Sequence, residues 1–453
     1  MLVFDTICAL STPPFKSALA VVRLSGNKSL EILSHIIKKD ISKVLPNYSF
    51  YAKVYKNKEN PVDLIDEAII TYYKNPNSYT GFDTIEFSVH GNMIIVEELL
   101  DTLVFYGARK AMPGEFSAQA YFNNKMDLLK AEGINDLINA TSIRAKNIAS
   151  NTLSGKNTEI VKNLKNRLLN YVAQMEYFVE NSYDEGEENI DYDDEINKVI
   201  DSLKIDIANL KEIILKTKKA NKEYQGFNIA IAGEPNVGKS TLLNAILKEN
   251  KAIVSPIPGT TRDVVEGECE INGLRFKFKD TAGLRKTDDY VENLGIEKSY
   301  QTIREADLVI LASDCSFKDV ESNEELNTAL KDKVVIKVAT KSDINNNLDC
   351  ADISICSLKD DTTELLDLIV NKLDLNKMEE SSFLGKREEE YLEKINEQLI
   401  ISLDAIINMR TIDVGSDNIR VAISLTNDLM GNSESQTMED IYQTLFSKFC
   451  LGK

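Results

Sequence analysis

The stretch Gly233-Glu234-Pro235-Asn236-Val237-Gly238-Lys239-Ser240-Thr241 follows the apolar run Phe227 to Ala232 and precedes Leu242, Leu243, Ala245 and Ile246. Its pattern, G-x-x-x-x-G-K-S, is that of a phosphate-binding loop. The glycines let successive backbone N–H groups curl around a di- or triphosphate, and a helix beginning at the loop's end adds its positive pole. Lys239 supplies a mobile positive charge, and Ser240 offers a hydroxyl to the Mg²⁺ that bridges terminal phosphates. Asn236, Val237, Gly238 and Thr241 complete the cradle. A chance glycine turn would not need a strand before it and an apolar helix after it.

Further motifs follow in the order of a GTP-binding switch protein. Gly259-Thr260-Thr261-Arg262-Asp263 reads as a first switch, whose Thr261 completes the Mg²⁺ shell only when the terminal phosphate is present. Asp280-Thr281-Ala282-Gly283 ends a strand, placing Asp280 to hold Mg²⁺ through water and Gly283 to sense the terminal phosphate. Thr340-Lys341-Ser342-Asp343 ends another strand, and Asp343 would accept the ring N–H and amino protons of guanine, which adenine does not offer. Cys356-Ser357-Leu358 would back the base with a main-chain N–H. Thr340 stands where such motifs usually carry asparagine, and a hydroxyl donates and accepts less widely than an amide, so a lowered guanine affinity is expected. Leu284 occupies the usual place of the water-orienting glutamine, so hydrolysis needs another residue and another cation.

The elements that must position these residues are legible in outline. A chain of 453 residues needs two to four cores. Residues 1 to about 120 mix β-branched or aromatic runs (Ala18 to Leu24, Glu67 to Tyr73, Thr84 to Val89) with the helical period Ile94, Leu99, Leu100, Leu103, predicting an α+β or α/β domain. From Leu128 the pattern is helical, with the stripes Leu164, Leu168, Val172, Met175, Val179 and Ile196, Val199, Leu203, Ile207, Leu210, Ile214 as core faces of an antiparallel bundle. The acidic stretch Asp184 to Glu195 between them matches no calcium loop and reads as a solvated linker. Strand candidates Leu274 to Lys279, Asp307 to Ser313 and Lys333 to Ala339 build a doubly wound α/β domain. Helical spacing resumes at Tyr391, Leu392, Ile395, Leu399, Leu403, Ile406 and again over Ile419 to Leu429. The expected layout is multidomain: an α/β GTPase domain (223–375) inserted in a helical bundle (124–222 and 376–453), behind an N-terminal α+β domain (1–123).

Composition narrows the classes. The six cysteines lack a C-x-x-C pair and there are two histidines, which disfavours a zinc site and leaves reduced, mostly structural thiols as the expectation. No basic and apolar leader and no membrane-length apolar run is present, so a cytoplasmic protein is expected. The formal net charge of −19 disfavours a chain that coats nucleic acid by itself. The acid excess sits mainly in the nucleotide domain: residues 223–375 carry 18 basic and 28 acidic side chains, residues 1–123 carry 12 and 13.

Across its full length the chain resembles the MnmE (TrmE) family of tRNA-modification GTPases. The resemblance is carried by Asp5-Thr6-Ile7, Ser78-Tyr79-Thr80-Gly81, Pro113-Gly114-Glu115-Phe116, Asn124-Lys125-Met126-Asp127-Leu128, the GTPase motifs, and Phe449-Cys450-Leu451-Gly452-Lys453, all in family order. It implies a folate-binding and dimerising N-terminal domain, a homodimer, and an FAD-dependent partner, MnmG (GidA), the two forming a heterotetramer with FAD held by the partner. The implied reaction adds an aminomethyl or carboxymethylaminomethyl group to carbon 5 of the wobble uridine of certain tRNAs. Its one-carbon source would be 5,10-methylene-tetrahydrofolate, with the 5-formyl form as a stable analogue. By the same resemblance, folate contacts fall on Arg23, Glu86, Lys125 and Lys453. A potassium ion held by Asn236 and by Ser255, Ile257 and Thr260 replaces an arginine finger. Glu292 positions the attacking water, and Cys450 lies by the folate site, as nucleophile or as neighbour. His90-Gly91-Asn92 in place of His-Gly-Gly, and Phe82 where the family mostly has an acidic residue, are mild departures. A ribosome-assembly or other regulatory RNA-binding GTPase is the competing class, which would usually append a basic module that neither flank provides. A dimerising scaffold is a third, favoured by the long helices alone.

Overall fold

The computed structural model describes the chain except residues 1–4, 61, 182–191, 250–265, 282–289, 315–316, 318–323, 343–350, 357–361, 376–382, 384, 410, 433–440, 444, 451 and 453. Of the acidic stretch expected as a linker, residues 184–191 lie outside the described residues, whereas 192–195 already belong to the helix Tyr192–Gln225. The chain divides into two compact units: Met1–Ile138 with Thr152–Ile207 and Glu393–Lys453, and Asn139–Asn151 with Ala208–Leu392.

The first unit opens with a sheet of order β3-β4-β5-β2-β1-β6. Its strands are β1 (Ile7–Leu10), β2 (Leu19–Ser25), β3 (Ser49–Tyr55), β4 (Leu64–Tyr73), β5 (Thr84–His90) and β6 (Arg109–Lys110). Alternation decides which side chains go inward: Ile85, Phe87 and Val89 of β5 are buried, and so are Ala20, Val22 and Leu24 of β2. Helices α1 (Ser29–Ile36) and α2 (Met93–Phe105) supply Ile32, Leu33, Ile36, Val96, Leu99 and Leu103 to the same core. Burying each such side chain contributes about 1.5–3 kcal/mol, which orients both helices on the sheet. Asn92 starts α2 by accepting a hydrogen bond from Ile94 N through its side chain.

The chain then turns helical with α3 (Glu115–Phe122), α4 (Leu128–Asn139), α5 (Ile143–Leu153), α6 (Lys156–Asn181) and the long α7 (Tyr192–Gln225). Of the two expected stripes, Leu164, Leu168, Val172 and Met175 on α6, and Val199, Leu203 and Ile207 on α7, are buried. A polar lock joins these helices within the first unit: Arg167 Nη2 lies 2.8 Å from Asp206 Oδ1, and Tyr171 Oη donates to Asp206 Oδ2 at 2.9 Å. The last segment packs on α3 and α4, where Ile441, Tyr442, Phe446 and Phe449 meet Ala118, Leu128 and Ala131. Tyr442 Oη donates to the Pro113 carbonyl at 2.8 Å.

The second unit holds a sheet of order β12-β11-β10-β7-β9-β8, parallel apart from the β8–β9 hairpin. The strands are β7 (Phe227–Gly233), β8 (Glu266–Ile271), β9 (Leu274–Asp280), β10 (Leu308–Ser313), β11 (Val334–Thr340) and β12 (Ile353–Ile355). Helices α8 (Lys239–Glu249), α9 (Tyr290–Glu305), α10 (Glu324–Leu330) and α11 (Thr363–Lys372) accompany them. Central β7 and β10 are buried nearly throughout, as parallel strands covered on both faces require. The sequence is helical again in α12 (Lys386–Ile407) and α13 (Ile412–Met430). Gly415 of α13 admits α12 closely, since a Cβ there would lie 2.6 Å from Ile406 Cγ1. The chain is thus a multidomain protein with a P-loop α/β domain set into helical sequence.

Candidate functional site

The phosphate-binding loop leaves the carboxyl end of β7, between β10 and β9, where an open α/β sheet places its ligands. The loop's shape depends on its glycines. Gly233 has φ +153°, and a Cβ built on it would lie 2.2 Å from the Ala312 carbonyl on β10. Gly238 (φ +99°) and Asn236 (φ +64°) also take left-handed conformations, which turn the chain into the first turn of α8. Val237 is buried, whereas Asn236, Ser240 and Thr241 are exposed. Lys239 is only 7% exposed, and its Nζ donates to the carbonyls of Gly233 (3.2 Å) and Glu234 (2.8 Å). Burial lowers its pKa from the ordinary lysine value, and the Asp280 carboxylate pulls the other way.

Asp280 ends β9 beside this loop. Thr281 N and Oγ1 both donate to the Ile231 carbonyl, at 3.1 and 3.0 Å, which fixes the strand end against β7. Ser240 Oγ donates to Asp280 Oδ2 at 2.5 Å, while Asp280 Oδ1 is buried without a hydrogen-bond partner among the described residues. A buried carboxylate oxygen with no partner beside a hydroxyl is a donor set suited to a hard divalent cation, so these two residues fit Mg²⁺. Among the described residues no cluster of three or more His, Cys, Asp or Glu forms a metal site of its own.

Thr340 ends β11, is buried, and donates through Oγ1 to the Val237 carbonyl at 2.5 Å. Lys341 (φ +55°) spans the loop, its Nζ donating to Asn236 O at 2.8 Å and to Asp314 Oδ2 at 2.6 Å. The T-K pair therefore ties the end of β11 to the phosphate loop. Asp314, just after β10, is a participant that its motif-free sequence context did not single out. Ser255, Ile257, Thr260, Thr261, Gly283, Leu284, Asp343 and Ser357 lie outside the described residues. Glu292 lies on α9, with its side chain outside the description as well.

A second constellation forms in the N-terminal sheet. Arg23 on β2 is paired directly across from Glu86 on β5, donating through Nε (3.0 Å) and Nη2 (2.8 Å) to Glu86 Oε1. Arg23 Nη1 donates to the Gly452 carbonyl at 3.0 Å, and Ser11 Oγ donates to the same oxygen at 3.2 Å. The guanidinium carbon lies 5.6 Å from the Tyr79 ring centre and 5.4 Å from that of Phe116. Tyr73 Oη donates to Glu86 Oε2 over a long 3.4 Å. Gly452 has φ +90°, and a Cβ there would lie 2.4 Å from the Leu10 carbonyl, so the C-terminal segment reaches Arg23 through a position only glycine fills. Cys450 is exposed, and its carbonyl accepts from Gly114 N at 3.2 Å.

The scattered polar clusters of the N-terminal sequence meet here. Ser25, Thr80 and Thr84 form a buried hydroxyl network, and Ser25 Oγ also donates to Gln119 Oε1 at 3.1 Å. Glu115, fully buried, receives Arg109 through Nη1 (3.1 Å) and Nη2 (2.5 Å), together with Met112 N at 2.8 Å. Arg109 Nε donates to Asp5 Oδ2 at 3.1 Å, and the Glu115 hydrogen bonds raise the Arg109 pKa further. These bonds brace the Pro113–Phe116 turn under the Arg23 pair. Arg109 and Gln119 were missed in the sequence because neither sits in a recognisable motif. Lys125 stands at the far end of the Ser78–Gly81 loop, its Cγ 3.2 Å from a Cβ built on Gly81. Lys453 lies outside the described residues.

Known proteins are similar to both regions of the chain. Residues 6–125 match the family model described as GTP-binding protein TrmE N-terminus, and residues 228–341 that described as 50S ribosome-binding GTPase. The tRNA modification GTPase MnmE of Fervidobacterium nodosum is 35% identical over 99% of this chain and 98% of its own length. The protein of the same name from Clostridioides difficile is 33% identical over 100% of both chains. With the phosphate loop, the braced N-terminal sheet and full-length similarity in one order, the chain belongs to the MnmE family of tRNA modification GTPases.

Proposed function

We propose that the chain is a potassium-dependent GTP hydrolase that works as a homodimer with the FAD-dependent partner MnmG. Together they add an aminomethyl or carboxymethylaminomethyl group to carbon 5 of the wobble uridine of certain tRNAs, the one-carbon unit coming from 5,10-methylene-tetrahydrofolate. The coarser part, a GTPase acting in tRNA modification, is the family's. The finer part rests chiefly on the Arg23–Glu86 pair, held over Tyr79 and Phe116 and reached by the Gly452 carbonyl.

The chemistry of that pair favours a pterin. Glu86 Oε2 keeps acceptor capacity for the amino and ring N–H groups of such a ring, and the aromatic side chains offer apolar faces. Lys125 and Lys453 would balance the carboxylates of the glutamate tail. Cys450 is an exposed thiol on the segment that carries Gly452, a position open to a neighbour's or a nucleophile's role.

In the nucleotide site Lys239 would hold the terminal phosphates. Ser240 and Asp280, with Thr261, would hold Mg²⁺, which neutralises phosphate charge when bound. Asn236, Ser255, Ile257 and Thr260 would hold potassium. Asn236 suits this in being exposed at a left-handed turn of the loop, and the other three lie outside the described residues. Glu292 would orient the attacking water. Asp343 and Ser357 would read guanine beside the Lys341 tie.

GTP turnover measured in KCl and NaCl at equal ionic strength tests the cation: faster turnover in KCl is expected, and equal rates overturn that part. Titration of the intact chain with 5-formyl-tetrahydrofolate tests the N-terminal site, where absence of binding removes the folate reading.

A further inference from the structure

An RNA substrate poses an electrostatic problem for a chain of net charge −19, because phosphate contacts dominate nucleic-acid affinity. Any tRNA contact must fall where positive charge is local and uncompensated. The first unit contains such a place, a cavity of about 530 Å³ between the start of α4, α6 and the end of α13. Lys125, Lys130 and Lys162 line it, all three exposed, and none of them shares a side-chain hydrogen bond or ion pair with a described residue. Among the described residues its one acidic lining residue, Asp127, is already engaged: Oδ2 accepts from Thr158 Oγ1 and Oδ1 from Lys130 N, each at 2.8 Å. Asn124 and Asn432 add neutral donors at the wall.

We propose that this cavity binds the phosphodiester backbone of the tRNA. Its volume lies within the range of sites that hold a small organic molecule, which is room for a nucleotide unit rather than a single ion. Lys130 and Lys162, whose ammonium groups have no partner among the described residues, suit consecutive phosphates, since lysine recognises phosphate as a mobile point charge. The wall is tied to the candidate cradle: Asn123 Nδ2 donates to the Thr80 carbonyl at 2.7 Å, and the same loop carries Tyr79 against Arg23. A strand held here runs beside the residues proposed to carry the one-carbon donor. The proposal rests on the tRNA role in the reading above and not on its folate part.

The test is fluorescence anisotropy of labelled tRNA titrated with the full-length chain across a series of KCl concentrations. Removing one lysine–phosphate interaction is expected to flatten the slope of log K against log salt by ~0.7–0.9, which is roughly five- to eightfold in affinity near ~0.1 M. Lys130→Ala and Lys162→Ala should each show that weakening and the double variant the product, while Lys→Arg at both positions restores binding and GTP turnover without tRNA is unchanged. Lys130→Gln with Lys162→Gln serves if the alanine pair alters the thermal transition. Unchanged affinity and slope in the double variants overturn the proposal, as does wild-type chain that shows no salt-dependent tRNA binding near ~50 mM KCl. Loss of affinity for an oligoglutamyl 5-formyl-tetrahydrofolate with tRNA binding intact also overturns it, assigning the cavity to a polycarboxylate. Failure of wild type to bind any folate, with the lysine effect on tRNA present, removes the folate reading and leaves this one standing.

Discussion

Replacing Arg23 by alanine removes three connections at once. Two go to Glu86 Oε1, at 3.0 and 2.8 Å, and one to the Gly452 carbonyl at 3.0 Å. Hydrogen bonds involving a charged group contribute about 1.5–3 kcal/mol each where water is excluded. The Arg23 and Glu86 side chains are 15% and 26% exposed, so water recovers part of that, and a coupling of about 1–2 kcal/mol is expected to remain between them. The assay is a double-mutant cycle on 5-formyl-tetrahydrofolate affinity, measured calorimetrically with Arg23→Ala, Glu86→Gln and the pair. Each single change should weaken binding roughly five- to thirtyfold, the equivalent of about 1–2 kcal/mol. The pair should lose less than the sum, because Arg23 orients the carboxylate that Glu86→Gln has already neutralised. Arg23→Lys keeps the charge without the planar fork and should fall between wild type and alanine. Losses that add to within ~0.3 kcal/mol, or wild-type affinity in Arg23→Ala, would refute the cradle.

Gly233→Ala should cost ~3 kcal/mol or more and abolish nucleotide binding, since its Cβ would sit 2.2 Å from a backbone carbonyl on β10; a mant-GDP titration checks this. Burial and the neighbouring Glu132 carboxylate push the Asp136 carboxyl up to about 7, above its unfolded value near 3.8. The folded chain therefore holds a proton that the unfolded chain releases, so stability falls as pH rises from about 4 to about 7. Asp136→Asn should accordingly leave the thermal transition almost unchanged below pH ~4 and raise it progressively up to pH ~8, the gain bounded at about 4 kcal/mol; a pH-independent effect would refute the assignment. Burial also pushes the thiols of Cys8 and Cys269 up to about 12, so mass spectrometry after iodoacetamide treatment at pH ~8 should find Cys450 alkylated and those two unmodified.

How much of this was legible in the sequence depended on how local the signal was. The phosphate loop reads directly, because its glycine conformations and its helix start are encoded in nine adjacent residues. The alternation in β2, β4 and β5 and the stripes of α6 and α7 were legible for the same reason. The β8–β9 hairpin was overlooked although Asn272-Gly273, both at positive φ, is a strong turn signal between two alternating runs. The Arg23 constellation was out of reach of local reading. Arg23 and Glu86 are 63 positions apart, and Arg23 and Gly452 are 429 apart. Their meeting depends on β5 pairing beside β2 after two intervening strands, and on the apolar docking of Tyr442, Phe446 and Phe449 that brings the C-terminus back. Resemblance named these residues, whereas their geometry follows from sheet register and C-terminal packing. Arg109 and Gln119 carry no pattern of their own, and their roles follow only from the burial of Glu115 and Ser25 beside them.

The proposed function is modification of the wobble uridine of tRNA with a folate-derived carbon. It is tested most directly by nucleoside analysis of tRNA from cells lacking the protein, complemented with wild type or with Arg23→Ala. The account predicts loss of the C5-substituted wobble uridine in the deletion, recovery with wild type, and failure of Arg23→Ala to restore it fully. An unchanged wobble uridine in the deletion would contradict it.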